Sequence, residues 1–193
     1  QRDRVRVEAA DAVDAVRRRQ RDRVGGIERP QTCEVEDGAE VDEERVVALP
    51  CDAAGVGHYR TGGPISELTR QGRIRSLLLP DGQNLRCFMP EPIELSRIQA
   101  QVLLLQNAFT KRHLSALEIY AKLSPDVFKV FGLDDLVFAL PPKNPARQHL
   151  GKDIKTRLRR SLALCDRAVV TSEPIAEALR GMIADIRVMP NYL

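Results

Sequence analysis

Six short apolar runs, each stopped by small or polar residues, constrain this chain more than any other feature. They read "RVVALPCD", "IRSLLLPDG", "QVLLLQNAF", "DVFKVFGLDD", "RAVVTS" and "DIRVMPN". A half-exposed strand would alternate apolar and polar residues, so continuous runs of this kind fit strands buried on both faces. Between them lie "PISELTRQG", with Pro64 in its first turn and Gly72 at its end, "TKRHLSALEIYAKLSP", the basic "KDIKTRLRRSLALC" and "EPIAEALRGM". "EPIELSRIQA" fits a further short helix. In the helix over 110–125, Leu114, Leu117, Ile119, Tyr120 and Leu123 form the expected apolar side. Strands alternating with helices over short loops predict an α/β fold, a parallel sheet flanked by helices.

The first 45 residues have a different texture. Val5, Ala9, Val13, Val16 and Val24 recur at spacings that suit one thin helix face, and Gly25-Gly26 ends the pattern. The acidic "IERPQTCEVEDGAEVDEER" that follows reads as a linker. The expected organisation is a helix and linker over 1–45, then one domain over 46–193. The first residue is not Met and the N-terminus lacks the apolar core of a signal peptide, so a piece of a longer cytoplasmic protein is expected. A net charge of +3 and 4% aromatics argue against a nucleic-acid partner. No apolar run approaches the roughly 20 residues that cross a bilayer.

Cys33, Cys51, Cys87 and Cys165 have no C-x-x-C spacing, and His58, His113 and His149 form no H-x-x-x-H pair. The cysteines read as reduced, mostly buried thiols, and no metal is expected. In a parallel sheet, functional residues gather at the carboxyl ends of the strands. There the sequence puts Gly55, Gly57, Gln106, Asn107, Asp134, Asp135, Thr171, Ser172 and Asn191. In "DAAGVGHYRTGGP", Gly55 and Gly57 allow close backbone approach, and Gly62-Gly63 open a helix whose positive end can hold an anion. His58, Tyr59 and Arg60 add donors. The loop matches neither G-x-G-x-x-G nor a P-loop, so it is either an anion- or sugar-binding loop or a turn. Asp134 and Asp135 resist burial and belong at a rim, as general base, positioner of hydroxyls, metal ligand or cap. Lys152, Lys155, Arg157, Arg159 and Arg160 make either a solvated face or a surface for anionic lipid or an acidic substrate. His113 reads as a surface histidine.

The ordered features "VFGLDDLVFALPPKNPARQHL", "IKTRLRRSLALCDRAVVTSEPIAEALR" and "IRVMPNYL" resemble the N-terminal half of a group-1 (family 4-like) glycosyltransferase of the two-domain GT-B fold. Cys165-Asp166, Val169-Val170, Thr171-Ser172 and Pro190-Asn191 carry the likeness. The glycine-rich first loop is similar to that of bacterial members that build O-antigen and other surface polysaccharides. The resemblance covers residues 46–193 and implies a Rossmann-like, acceptor-side domain. It implies a nucleotide-sugar donor, a glycan acceptor, no metal, and peripheral contact with the inner membrane. Asp134 and Asp135 would orient the reacting sugar, while Gly55 and Gly57 would turn backbone N–H groups toward the diphosphate with Arg60 beside them. The family's second, donor-binding domain is missing from this sequence, so the chain alone is expected to be inactive. The other reading is a non-catalytic α/β module for glycan or protein binding.

Overall fold

The computed structural model describes residues 43–52, 55–79, 89–141, 143–144 and 147–191. The N-terminal helix expected over residues 1–24 lies outside them. All six apolar runs form strands: β1 (Glu44–Leu49), β2 (Ile74–Leu78), β3 (Val102–Gln106), β4 (Phe128–Leu133), β5 (Arg167–Val170) and β6 (Ile186–Val188). They pair in parallel throughout, in the order β2-β1-β3-β4-β5-β6, a Rossmann-like α/β arrangement. The sheet begins at Glu44, two residues before the expected domain start, so Glu44 and Arg45 belong to the first strand and not to the linker.

The helices are α1 (Gly63–Arg70), α2 (Pro92–Arg97), α3 (Lys111–Leu123), α4 (Arg147–Leu150), α5 (Ile154–Ala163) and α6 (Glu173–Ala178). On one face of the sheet, Leu103, Leu105, Phe131 and Leu133 pack with Leu95 of α2, Leu117 and Tyr120 of α3, Leu158 and Leu162 of α5 and Ile175 of α6. Tyr120 brings a hydroxyl into this core and donates it to the Pro90 carbonyl at 2.5 Å, as a buried phenol must. The other face is thinner. Ile65 and Leu68 of α1 cover Val46, Ala48, Ile74, Val102 and Val130.

α3 corrects two expectations. Ile119 and Leu123 are 45% and 68% exposed, whereas Leu114, Leu117 and Tyr120 are buried. At about 100° per residue Ile119 lies roughly 200° around from Leu117, on the far side, and Leu123 is the helix's last residue. His113 is buried, not on the surface. It sits three residues after the Thr110 cap: its N–H donates to Thr110 Oγ1 at 3.2 Å, and its Nδ1 accepts from the Thr110 N–H at 3.4 Å.

The basic run on α5 is partly spent inside the fold. Arg157 donates to the carbonyls of Phe109 (3.1 Å) and Leu150 (2.6 Å) and pairs with Asp153, and Arg160 pairs with Glu118 of α3. Lys152, Lys155 and Arg159 stay exposed. Cys51 and Cys165 are free and half-buried, with both thiols pushed up to about 12 chiefly by burial. Cys33, Cys87 and the side chain of His149 lie outside what is described.

Candidate functional site

The chain runs from β1 outward to β2, then returns past β1 to β3 and continues the other way to β6. The point of reversal, between the carboxyl ends of β1 and β3, is where connections diverge and leave a crevice. Cys51 and Asp52 follow β1 there, Gln106 and Asn107 end β3, and Asp134 follows β4 on the next strand.

Asp52, which sequence reading passed over, organises the first loop. Its Oδ1 accepts the N–H groups of Gly55 at 2.5 Å and Gly57 at 3.2 Å. Those N–H groups were expected to face a diphosphate, but a carboxylate already occupies them and puts negative charge where the phosphate would sit. Gly57 is required by crowding: a Cβ there would lie 2.0 Å from the Asp52 carbonyl oxygen. Nor is the helix end expected at Gly62-Gly63 an open one. The chain is helical from residue 56 and reaches α1 through a π-helical turn (His58–Gly62), so this end has no free first turn to offer.

The three donors of that loop part company. Tyr59 is 72% exposed, and exposed His58 meets it edge-on with ring centroids 5.6 Å apart, so both project from the surface. Arg60 turns inward and donates to the Met189 carbonyl at 3.1 Å and to Asn191 Oδ1 at 2.5 Å, tying the first loop to the end of β6. Burial works against its charge, and the nearby Asp134 carboxylate supports it.

Gln106 is 5% exposed and lines a cavity of about 650 Å³ together with Arg60 and Thr61. Its Oε1 accepts from the Cys51 N–H at 3.2 Å and from Thr61 Oγ1 at 3.0 Å. Its Nε2 is buried and finds no hydrogen-bond partner among the described residues. The same is true of Asn107 Oδ1 and Asp134 Oδ1. Three unpaired polar atoms on the ends of adjacent strands are costly, each worth about 1–3 kcal/mol. Asn107 adds strain, with φ at 54°, a left-handed conformation uncommon for a residue with a Cβ. The Cys51 thiol senses the pocket's charge: burial, then Asp52, then Asp134 raise it. Two acceptors and one donor are thus unpaired at these strand ends, and the cavity that Gln106 lines also carries Arg60, Arg167, Arg180 and Arg187.

The aspartate pair is split. Asp134 is half-buried and its carbonyl accepts from Thr171 Oγ1 at 3.0 Å, whereas Asp135 is exposed and its carbonyl accepts the Val137 N–H in a turn. Thr171 therefore fixes the strand end and spends its hydroxyl doing so. Ser172 occupies the N-cap position of α6, its carbonyl accepting from Ile175 and Ala176. Gln106, Asn107 and Asp134 thus lie at the strand ends where sequence reading put them, and the contacts of Asp52 and Thr61 were not anticipated. Thr61→Val, which strips one partner from Gln106 Oε1, is expected to cost about 1 kcal/mol in urea unfolding.

Among the described residues no group of three or more His, Cys, Asp or Glu could hold a metal ion, and no helix is long and apolar enough to cross a membrane. The described residues thus form a Rossmann-like parallel sheet flanked by helices, with unpaired polar atoms of Gln106, Asn107 and Asp134 at the carboxyl ends of two adjacent strands. No protein-family model matches the chain, and no curated protein matches it.

Proposed function

We propose that this chain is the acceptor-side domain of a glycosyltransferase that moves a sugar from a nucleotide-sugar donor to a growing surface glycan, O-antigen or a similar polysaccharide. The observation that carries the reading is the trio of unpaired atoms, Gln106 Nε2, Asn107 Oδ1 and Asp134 Oδ1. A sugar hydroxyl both donates and accepts, so neighbouring hydroxyls of one ring can satisfy a donor and two acceptors together. Asp134 receives the acceptor hydroxyl and is placed to take its proton as the new bond forms. Asp135, pointing to solvent, has no part in that step. The donor's diphosphate is held by the second domain, since Asp52 has already taken the loop N–H groups. The protein works in the cytoplasm on this reading, with exposed Lys152, Lys155 and Arg159 available to the inner membrane surface.

Calorimetric or NMR titration of the chain with oligosaccharides, nucleotide sugars and free nucleoside diphosphates tests this. Oligosaccharide binding is expected, weakened about tenfold or more by Asp134→Asn and unchanged by Asp135→Asn. Nucleoside diphosphates binding at the Asp134 pocket in place of glycans would overturn the reading.

A further inference from the structure

Residues in register on neighbouring parallel strands share a face of the sheet, and one such row crosses four strands at the level of Gln106. Gln106 pairs with Gly132, Gly132 with Val169, and Val169 with Arg187. All four line the cavity already described around Gln106. At about 4.8 Å per strand the row is about 14 Å long, more than one sugar ring. Its middle is bare, and packing does not require that. A Cβ on Gly132 would sit in ordinary contact, 3.6 Å from Gln106 Cα and Cγ. Glycine inside a strand weakens it, and where nothing crowds the site it leaves main chain open to a ligand.

The two ends of the row differ. At one, Gln106 Nε2 is buried and unpaired, a donor for a hydroxyl oxygen. At the other, exposed Arg187 uses only Nε, on Asp185 Oδ1 at 3.1 Å, and its terminal nitrogens make no hydrogen bond among the described residues. Asp185 is shared, because Arg167 donates Nε and Nη2 to its other oxygen at 3.0 and 2.8 Å. Two guanidinium groups on one carboxylate leave a positive charge over. The remaining arginines of the lining are engaged elsewhere, Arg60 on Met189 and Asn191 and Arg180 on Glu177, and the lining's one carboxylate is exposed Glu173 on α6.

We propose that the acceptor glycan is acidic: a sugar carboxylate meets Arg187 while a hydroxyl further along the same glycan meets Gln106. The chain of rings between them lies on the open backbone at Gly132 and against Val169. This rests on the acceptor-side reading above and adds the charge of the acceptor to it. A carboxylate matches the planar guanidinium fork with two parallel bonds, which a neutral sugar cannot do.

The test is calorimetric titration of the full chain with a panel of oligouronates, each matched with the neutral oligosaccharide made by reducing its carboxyl groups. An acidic member is expected to bind about tenfold tighter than its neutral twin. Arg187→Gln should abolish that difference, Arg187→Lys should restore part of it, and Gly132→Val should weaken both twins by filling the floor. Neutral twins that bind as tightly as acidic ones, and are still weakened by Asp134→Asn, would overturn the acidic acceptor and leave the acceptor-side reading standing. A preference for acid that survives Arg187→Gln would overturn the assignment to this row. No binding by any member would overturn both.

Discussion

Gly57→Ala is expected to lower the unfolding free energy by about 3 kcal/mol, whereas Gly55→Ala costs less than about 1 kcal/mol. Both glycines donate their N–H to Asp52, so the contrast isolates what the added methyl meets. At Gly57 it meets main chain, 2.0 Å from the Asp52 carbonyl oxygen and 2.5 Å from its nitrogen. Main chain at the end of a buried strand cannot retreat, so the loop itself must move and break the two N–H bonds to the carboxylate. At Gly55 the nearest atoms are carboxylate oxygens at 3.3 Å, the far end of a side chain that can give by a few tenths of an ångström. Urea denaturation of both variants decides it. Equal costs would mean that the loop is not pinned by Asp52 in the way described.

Acidification should weaken the fold through His113, by about 2 kcal/mol on going from pH 7.5 to pH 5. Burial, reinforced by the neighbouring Arg112 charge, pushes this imidazole down to about 4 from its ordinary 6.5. In the unfolded chain it takes up a proton near pH 6.5, and in the folded chain not until about pH 4. Between those values the unfolded state holds more protons, so stability is complete above pH 6.5 and is lost progressively as pH falls toward 4. The structure gives a second reason in the same direction: Nδ1 accepts the Thr110 N–H, and a protonated ring has no lone pair to do so. His113→Gln keeps an acceptor and removes the titration. Its unfolding free energy should change about 2 kcal/mol less than that of the parent over the same interval. Parallel pH profiles for the two proteins would refute the assignment.

Much of the fold was legible because burial on both faces leaves a mark in every strand: "VVAL", "VLLL" and "FKVFGL" tolerate little polar alternation, and each became a strand. Lys129 is the instructive exception, a charge inside such a run. It is kept by donating to the Val127 carbonyl at 2.7 Å and by an ion pair with Asp166 at 3.7 Å, neither of which a pattern of apolar residues announces. The site was legible only by position. Strand ends put Gln106 and Asp134 at the rim, but that Asp134 is half-buried and Asp135 exposed is not written in the pair, nor is the bond to the Asp134 carbonyl from Thr171, 37 residues away. Asp52 was invisible because its role is to occupy glycine N–H groups that, by themselves, looked free for a ligand. A histidine three residues after a threonine also carries no sequence signal of burial, since the cap is closed by geometry and not by a residue pattern.

The unpaired trio at the switch point bears on how this protein would respond to selection for heat resistance. Gln106, Asn107 and Asp134 combine unsatisfied polar atoms with a left-handed backbone at the middle position. Folding alone would be better served by glycine at 107, which adopts a positive φ without a Cβ penalty. A screen that rewards only survival at high temperature would therefore be expected to select substitutions at these strand ends early.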